Sequence, residues 1–398
     1  MWAYVIACSA TAAEALLAFV LPPYLQAVGY PVGSIGVLVG LAAGAALFSR
    51  LPVGLLYRGG SARALLGGSL LLAALVTLLY PLATATLAFA AVRAVSGLAY
   101  GAATTVNLAR FVDGLPPGSR RSQGMAFYAG AMAAGFAVGN GPGGLIADWL
   151  GYTPSFVGAS ALYFVAFAAT LVAGRGQRVV APQAATAAAG GSAWRQVRAA
   201  AGDPGTRAVT LAAFLLAFLA QTLSVYGTLY GLMVNVTLAE MGFIRAAFSI
   251  TQVVMRSLAG PLARRFGRRR TQDGGLAGQA LFMVLLASSY GFWPLLAAQL
   301  AVGVCRAVTF VANSIALAED VDEARVGRGI ASGLFNAASD LGQIVGPTIA
   351  GLIGQAAGLP TMFRLLPPLL FAAYLLAMLA SRGPSVRATA VSRSAPGE

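Results

Sequence analysis

Apolar positions run along this chain in long unbroken stretches, neither alternating at a period of two nor confined to one stripe of a helix. Stretches of spanning length lie at about residues 3–22, 34–56, 64–84, 87–109, 123–147 and 154–174. A second set lies at about 208–233, 241–263, 274–293, 295–317, 329–354 and 362–381. A helix needs ~20 apolar residues to cross the hydrocarbon of a bilayer, and each stretch reaches that length. The pattern predicts an all-α membrane protein of twelve transmembrane helices in two pseudo-symmetric six-helix bundles. Between the sets, residues 175–207 hold Ala, Gly, Gln and Arg without a long apolar run and read as a solvated linker. The expected organisation is a bundle over 1–174, the linker over 175–207, a second bundle over 208–381 and a polar tail over 382–398.

Composition agrees with a lipid environment. Of 398 residues, 58% are hydrophobic and only 10% charged, against ~25% charged in ordinary soluble domains. The charge is one-sided, with 26 basic residues, all Arg, against 12 acidic ones. These arginines fall in short clusters between apolar stretches, not along a stripe with interleaved aromatics, so no nucleic-acid partner is expected. Cytoplasmic loops retain basic residues. Arg58 and Arg63, Arg110 with Arg120 and Arg121, the linker arginines, Arg264 to Arg270, Arg325 and Arg328, and the tail arginines all fall on one side if the helices alternate. The opposite loops hold only Arg245 and Arg364 by this count. Both termini are thus expected in the cytoplasm, and the all-Arg, Ala- and Gly-rich composition points to a bacterial inner membrane.

Several chemistries are excluded by what is missing. The chain has no His and no Lys, and its two cysteines, Cys8 and Cys305, lie inside apolar stretches. No disulfide framework, metal site or cofactor follows from these residues. A membrane metalloprotease needs His, and a phosphate-cradling loop needs Lys. Neither an enzyme nor an ATP-driven pump is expected.

The two halves repeat each other. Arg50-Leu-Pro-Val-Gly54 matches Arg256-Ser-Leu-Ala-Gly260, and Arg93-Ala-Val-Ser matches Arg306-Ala-Val-Thr. Gly135-x-x-x-Gly139, followed by Pro142, matches Gly342-x-x-x-Gly346, followed by Pro347. Internal repeats of this kind build alternating-access transporters, with the substrate site between the halves. Glycines four apart let helices approach closely and proline introduces a kink. Gly139, Pro142, Gly346 and Pro347 are therefore candidates for the surface on which the halves rock, with tight packing inside one bundle as the plainer alternative.

These residues resemble the major facilitator superfamily over essentially the whole chain. Gly260-Pro-Leu-Ala-Arg-Arg-Phe-Gly-Arg-Arg269 is similar to that family's loop signature G-x-L-a-D-R-x-G-R-R, with Arg264 at the Asp position. The first-half copy, Gly54 to Arg63, is degenerate and has Arg58 at that position. Arg93-x-x-x-Gly97 resembles the R-x-x-x-G signature associated with proton coupling. The segment Gly135 to Gly144 resembles the helix-5 signature of drug–proton antiporters, its proline two residues late. The resemblance implies a secondary transporter that works as a monomer, with a small-molecule substrate, protons and the lipid bilayer as its partners.

Buried charge costs several kcal/mol and tends to face a partner or water. At ~1.5 Å per residue, Glu14 and Arg93 lie roughly 12 Å and 9 Å from the outer end of the bilayer, and Arg306 and Asp340 near its middle. One acid–Arg pair is expected per half: Glu14 with Arg93, and Asp340 with Arg306. Burial and a nearby cation pull a carboxylate's proton affinity in opposite directions, as a proton-coupling group requires; a static ion pair is the alternative. Arg58 facing the acidic cluster Glu319, Asp320, Asp322 and Glu323 would form a charge-swapped gate with Arg264, a solvated acidic loop being the alternative. Tyr24, Gln26, Asn107, Gln221, Ser224, Tyr226, Tyr230, Asn313 and Asn336 are the polar candidates for the cavity lining. A mostly apolar lining suits amphipathic or cationic compounds. The expected function is proton-coupled efflux. The alternatives are proton-coupled uptake of a metabolite and, in another class, a polytopic membrane protein that transports nothing.

Overall fold

The computed structural model describes residues 1–57, 61–115, 119–173, 198, 202–319 and 328–380. Among these are twelve long helices and no strand. The first bundle holds α1 (Trp2–Ala27), α2 (Val32–Leu56), α3 (Ala62–Thr77), α4 (Thr86–Asp113), α5 (Ser119–Trp149) and α6 (Tyr152–Val172). The second holds α7 (Pro204–Met233), α8 (Leu238–Phe266), α9 (Arg268–Leu286), α10 (Phe292–Glu319), α11 (Arg328–Ala357) and α12 (Leu359–Ala380). A short 3-10 turn, Tyr80–Leu82, lies between α3 and α4. By length and composition nine of the described helices are apolar enough to cross a membrane. The other three, α5, α9 and α11, each start at an arginine-bearing end and carry several glycines.

Local signals explain where the helices depart from the apolar stretches. α7 starts at Pro204, inside the expected linker, because the Asp203 side chain accepts from Thr206 N at 2.7 Å and caps the helix there. Thr237 and Glu240 form a reciprocal capping box at the start of α8. α9 begins at Arg268 instead of residue 274, since the polar segment Arg268–Asp273 is helical without being apolar. Gly267, at φ +86°, makes the break from α8 in a conformation other residues rarely adopt. Most of the rest of the expected linker, and the tail 382–398, lie outside the described residues.

Packing repeats between the bundles. α1 packs on α5 and α6 as α7 packs on α11 and α12; α4 packs on α2 and α3 as α10 packs on α8 and α9. Between the bundles, α2 lies on α11 and α5 lies on α8, the same crossing used twice. Large apolar side chains such as Phe48, Leu87, Trp149 and Leu376 stand exposed on the molecule. In a bilayer the acyl chains are their solvent, while every helix satisfies its own backbone.

The loops at the end joining α1–α2, α3–α4, α5–α6, α7–α8, α9–α10 and α11–α12 contain no arginine. Arg245 and Arg364, expected there, lie within α8 and α12. The asymmetry of charge along the bundle axis is thereby sharper than the sequence suggested.

Candidate functional site

Glycine brings the bundles together at that arginine-free end. A Cβ on Gly36 of α2 would collide with the Pro347 carbonyl of α11 and the Tyr226 hydroxyl. A Cβ on Gly242 of α8 would stand 2.8 Å from Gly144 Cα and 2.9 Å from the Asn140 carbonyl of α5. Tyr226 donates to the Pro347 carbonyl at 2.7 Å, with the Val32 carbonyl of α2 3.3 Å away. Gly33 N donates to Gln355 Oε1 across the bundles at 3.1 Å. Towards the other end of the same helices, a Cβ at Gly54, Gly130 or Gly333 would meet nothing within 4 Å. Among the described residues, the bundles are closed at the arginine-free end and parted towards the other.

Two adjoining cavities lie between the bundles. The first, about 200 Å³, is lined by Glu14, Arg93, Tyr100, Arg50 and Asp340. The second, about 340 Å³, is lined by Arg245, Arg256, Arg306, Asn140 and Gln252. Phe136, Gln221, Ser224 and Gln343 belong to both.

In the first cavity the expected pair of Glu14 and Arg93 is present. Arg93 Nη1 stands 4.0 Å from Glu14 Oε1 and donates to the Tyr80 hydroxyl at 3.4 Å. Tyr163 donates to Glu14 Oε2 at 3.0 Å. Arg93 is 3% exposed, and its Nε has no hydrogen-bond partner among the described residues. The second expected pair is not formed. Asp340 accepts from Arg50 Nη1 at 2.7 Å, because α11 crosses α2, whereas Arg306 on α10 faces α8.

The charged residues that line the second cavity are all arginines. Arg245, 8% exposed, donates to Ser224 Oγ at 2.6 Å, while its Nε lacks a partner. Arg256 stacks its guanidinium on the Phe310 ring, 4.7 Å from the centroid. No hydrogen bond or ion pair reaches Arg306 among the described residues, and it feels the charges of both other arginines. Among the described residues no carboxylate lines this cavity.

Most of the other expected site residues are structural. Gln221 lines both cavities, and Ser224 with it. Tyr24 instead packs in an aromatic cluster with Phe89, Tyr152 and Phe156. Gln26 is exposed at the last turn of α1. Buried Asn107 donates to the Tyr128 hydroxyl at 3.0 Å, within the first bundle. Tyr226 belongs to the closed end. Tyr230 donates to the Ser289 carbonyl at 3.3 Å, and Asn313 to the Val209 carbonyl at 3.2 Å, both inside the second bundle. Asn336 is exposed one turn from Asp340.

Both glycine pairs pack inside their own bundles. Gly139 packs against the Ala12 carbonyl and Gly346 against the Phe218 carbonyl, each inside its own bundle, because Gly-x-x-x-Gly faces the crossing with α1 or α7. Pro142 is exposed, and only Pro347 of the four candidates meets the other bundle. Arg58, Asp320, Asp322 and Glu323 of the expected gate lie outside the described residues. Glu319 is ion-paired with Arg268 of its own bundle, and Arg264 lies beside that pair. Tyr57 donates to Asp113 at 2.7 Å, and burial with that carboxylate holds its phenol above the usual tyrosine range.

Arg245 and Arg50 were the residues most undervalued by sequence. The apolar stretch 241–263 already enclosed Arg245, so its depth was legible even though it was counted with the loops.

The sequence model of the Major Facilitator Superfamily matches residues 3–237 and again 232–396. An uncharacterized MFS-type transporter of Methanocaldococcus jannaschii is 22% identical over 348 residues, 86% of this chain and 87% of that one. The class B tetracycline resistance protein of Escherichia coli is 32% identical over 116 residues, 29% of this chain and 28% of that one. Among solved structures, a bacterial homolog of the human lysosomal transporter Spinster, inward-facing and unoccupied, superposes with a TM-score of 0.77 at 14% identity, over 96% of this chain and 98% of that one. The chain belongs to the Major Facilitator Superfamily of membrane transporters.

Proposed function

We propose that the protein is a proton-coupled secondary transporter of the inner membrane that exports small amphipathic compounds by alternating access, acting as a monomer. The observation that carries this reading is Glu14, a carboxylate held between Arg93 and Tyr163 on the wall of a cavity between two bundles that are closed at one end only. Such a group gains or loses a proton at low cost only when the cavity is wet, and the cavity opens to one side at a time. Asp340, reached by Arg50 from the other bundle, is the second carboxylate able to take part. The arginine-free loops support reading the closed end as the outer face, with both termini in the cytoplasm and the molecule facing inward. Efflux as the direction draws on the local similarity to a tetracycline resistance protein. The apolar part of the second cavity's wall, Met132, Phe136, Phe248 and Val253, fits an amphipathic body, and its three arginines do not fit a cationic one.

A proteoliposome assay with an internal pH dye tests this reading. An imposed inside-acidic gradient is expected to collapse when a carried compound is added outside, and Glu14→Gln is expected to abolish that response. Uptake driven only by a gradient acidic on the compound's own side would replace antiport by symport. An unchanged response in Glu14→Gln would remove the carboxylate from coupling.

A further inference from the structure

The two bundles are built alike but charged unalike. Gly135 and Gly139 of α5 rest on the carbonyls of Cys8 and Ala12 in α1; Gly342 and Gly346 of α11 rest on those of Phe214 and Phe218 in α7. Cys8 therefore answers to Phe214 and Ala12 to Phe218. Glu14, two residues on from Ala12, answers to Ala220, two residues on from Phe218. Arg93 answers to Arg306 through the shared Arg-Ala-Val motif. The second bundle has kept the arginine and has a methyl group where its carboxylate would stand. Ala220 lines the cavity beside Arg306.

The same contrast holds one helix away. Arg50 has Asp340, while its counterpart Arg256, exposed on α8, stacks on the face of Phe310 and makes no hydrogen bond or ion pair among the described residues. Arg245 adds a third cation, 8% exposed, with Nε unpartnered and aimed at no carboxylate. Arg245 is buried and Arg306 half-buried, and a guanidinium in such a low-dielectric setting is retained at a cost where it meets water or an anion. Three of them around about 340 Å³ form a cavity the size of a small-ligand site. Guanidinium forks match the paired oxygens of carboxylates and phosphates. Phe136, Met132, Phe248 and Val253 supply apolar walls for the remainder of a ligand.

We propose that Arg245, Arg256 and Arg306 are the anion subsite of this transporter, and that its substrate is an organic anion, a carboxylate or phosphate group on an apolar body. The proposal deepens the transport reading and rests on it for what is carried, but the site itself is defined by binding. The first cavity then handles the proton, and the second handles the negatively charged compound, with Gln221, Ser224 and Gln343 as their common wall.

The test is equilibrium binding to the full-length protein in nanodiscs of neutral phosphatidylcholine, with no gradient imposed. Four probes share one ring: benzoate, phenyl phosphate, benzyl alcohol and benzylammonium. At least one anion is expected to bind saturably, with benzyl alcohol weaker by about tenfold or more and benzylammonium weaker still. Arg245→Gln and Arg306→Gln are each expected to weaken anion binding by at least about tenfold. Ala220→Glu, which supplies the missing carboxylate, is expected to do the same at an unchanged unfolding temperature. A variant that merely misfolds is recognised by its lowered unfolding temperature, and Ala220→Glu and Arg306→Gln make the same demand from opposite sides. Benzylammonium binding as tightly as the anions overturns the proposal, as does the absence of saturable anion binding in the millimolar range, or unchanged binding in folded Ala220→Glu and Arg306→Gln. Loss of probe binding on adding phosphatidylglycerol to the discs would assign the subsite to a lipid phosphate and overturn the substrate role. Because no proton gradient enters, anion binding without compound-triggered proton flux would count against the transport reading and leave the subsite standing.

Discussion

Arg50 of α2 reaches across to Asp340 of α11 so that one guanidinium nitrogen stands 2.7 Å from one carboxylate oxygen and 2.8 Å from the other. The pair bridges the bundles between their closed end and their parted end. Its members' side chains are 44% and 13% exposed, so water screens the interaction. Partly exposed pairs contribute up to about 1 kcal/mol, which shifts a two-state balance by about fivefold. Arg50→Gln and Asp340→Asn are each expected to change the ratio of inward- to outward-facing molecules by up to that factor. The double variant is expected to add little to either. Spin-label distances between the terminal ends of α2 and α11 measure the ratio; strictly additive effects would mean the two side chains act separately.

At Gly242 the neighbours of an added Cβ are backbone atoms of α5, which cannot swing aside. Gly242→Ala is expected to cost the closed end about 1–3 kcal/mol and to favour the state in which that end is open. Gly130→Ala, where a Cβ meets open space, serves as the control. Labelling of a cysteine placed near the α7–α8 connection should rise in the first variant and stay level in the second.

Tyr226 fastens the same end by a hydroxyl alone. Tyr226→Phe keeps the ring, which is fully buried, and removes the donor to the Pro347 carbonyl. The expected loss is about 1 kcal/mol, visible as a lower unfolding temperature of the form closed at this end. An unchanged temperature would show that the carbonyl finds water in its place.

Arg93→Leu leaves Glu14 on the cavity wall without its nearest cation, with Tyr163 as its hydrogen-bond donor. A stability loss of about 3 kcal/mol is expected, the low end for breaking a buried pair. The double variant with Glu14→Gln is expected to recover a good part of it. Thermal or denaturant unfolding of the purified protein in lipid discriminates; no recovery would mean that Arg93 acts through Tyr80, not through Glu14.

The helices and the Glu14–Arg93 pair were legible in sequence because both depend on depth. Distance along a helix axis is fixed by residue count, and apolar length by composition. What failed depends on azimuth. Soluble helices reveal their inward face through an apolar stripe, but helices apolar all round give no such stripe. Asp340 was thus assigned to Arg306, at equal depth, when it points to α2. Tyr226 and Tyr230 were assigned to the cavity when both are fully buried in packing. Gly139 and Gly346 were legible as close-approach points but not as to which neighbour approaches. The interplay of Arg245, Arg256 and Arg306 appears only once α8 and α10 lie side by side.

α5 is stitched on two faces, by Gly135 and Gly139 to α1 of its own bundle and by Gly144 to α8 of the other. A rod held along two seams cannot roll about its long axis, and it cannot slide along one seam without tearing the second. α11 is held in the same way, by Gly342 and Gly346 on one side and by the backbone at Pro347 on the other. The freedom left to the molecule is that of two stiff shells turning about the paired crossings α2–α11 and α5–α8. A compound lodged in the parted mouth would therefore act as a doorstop, jamming the whole stroke from one spot without distorting any single helix.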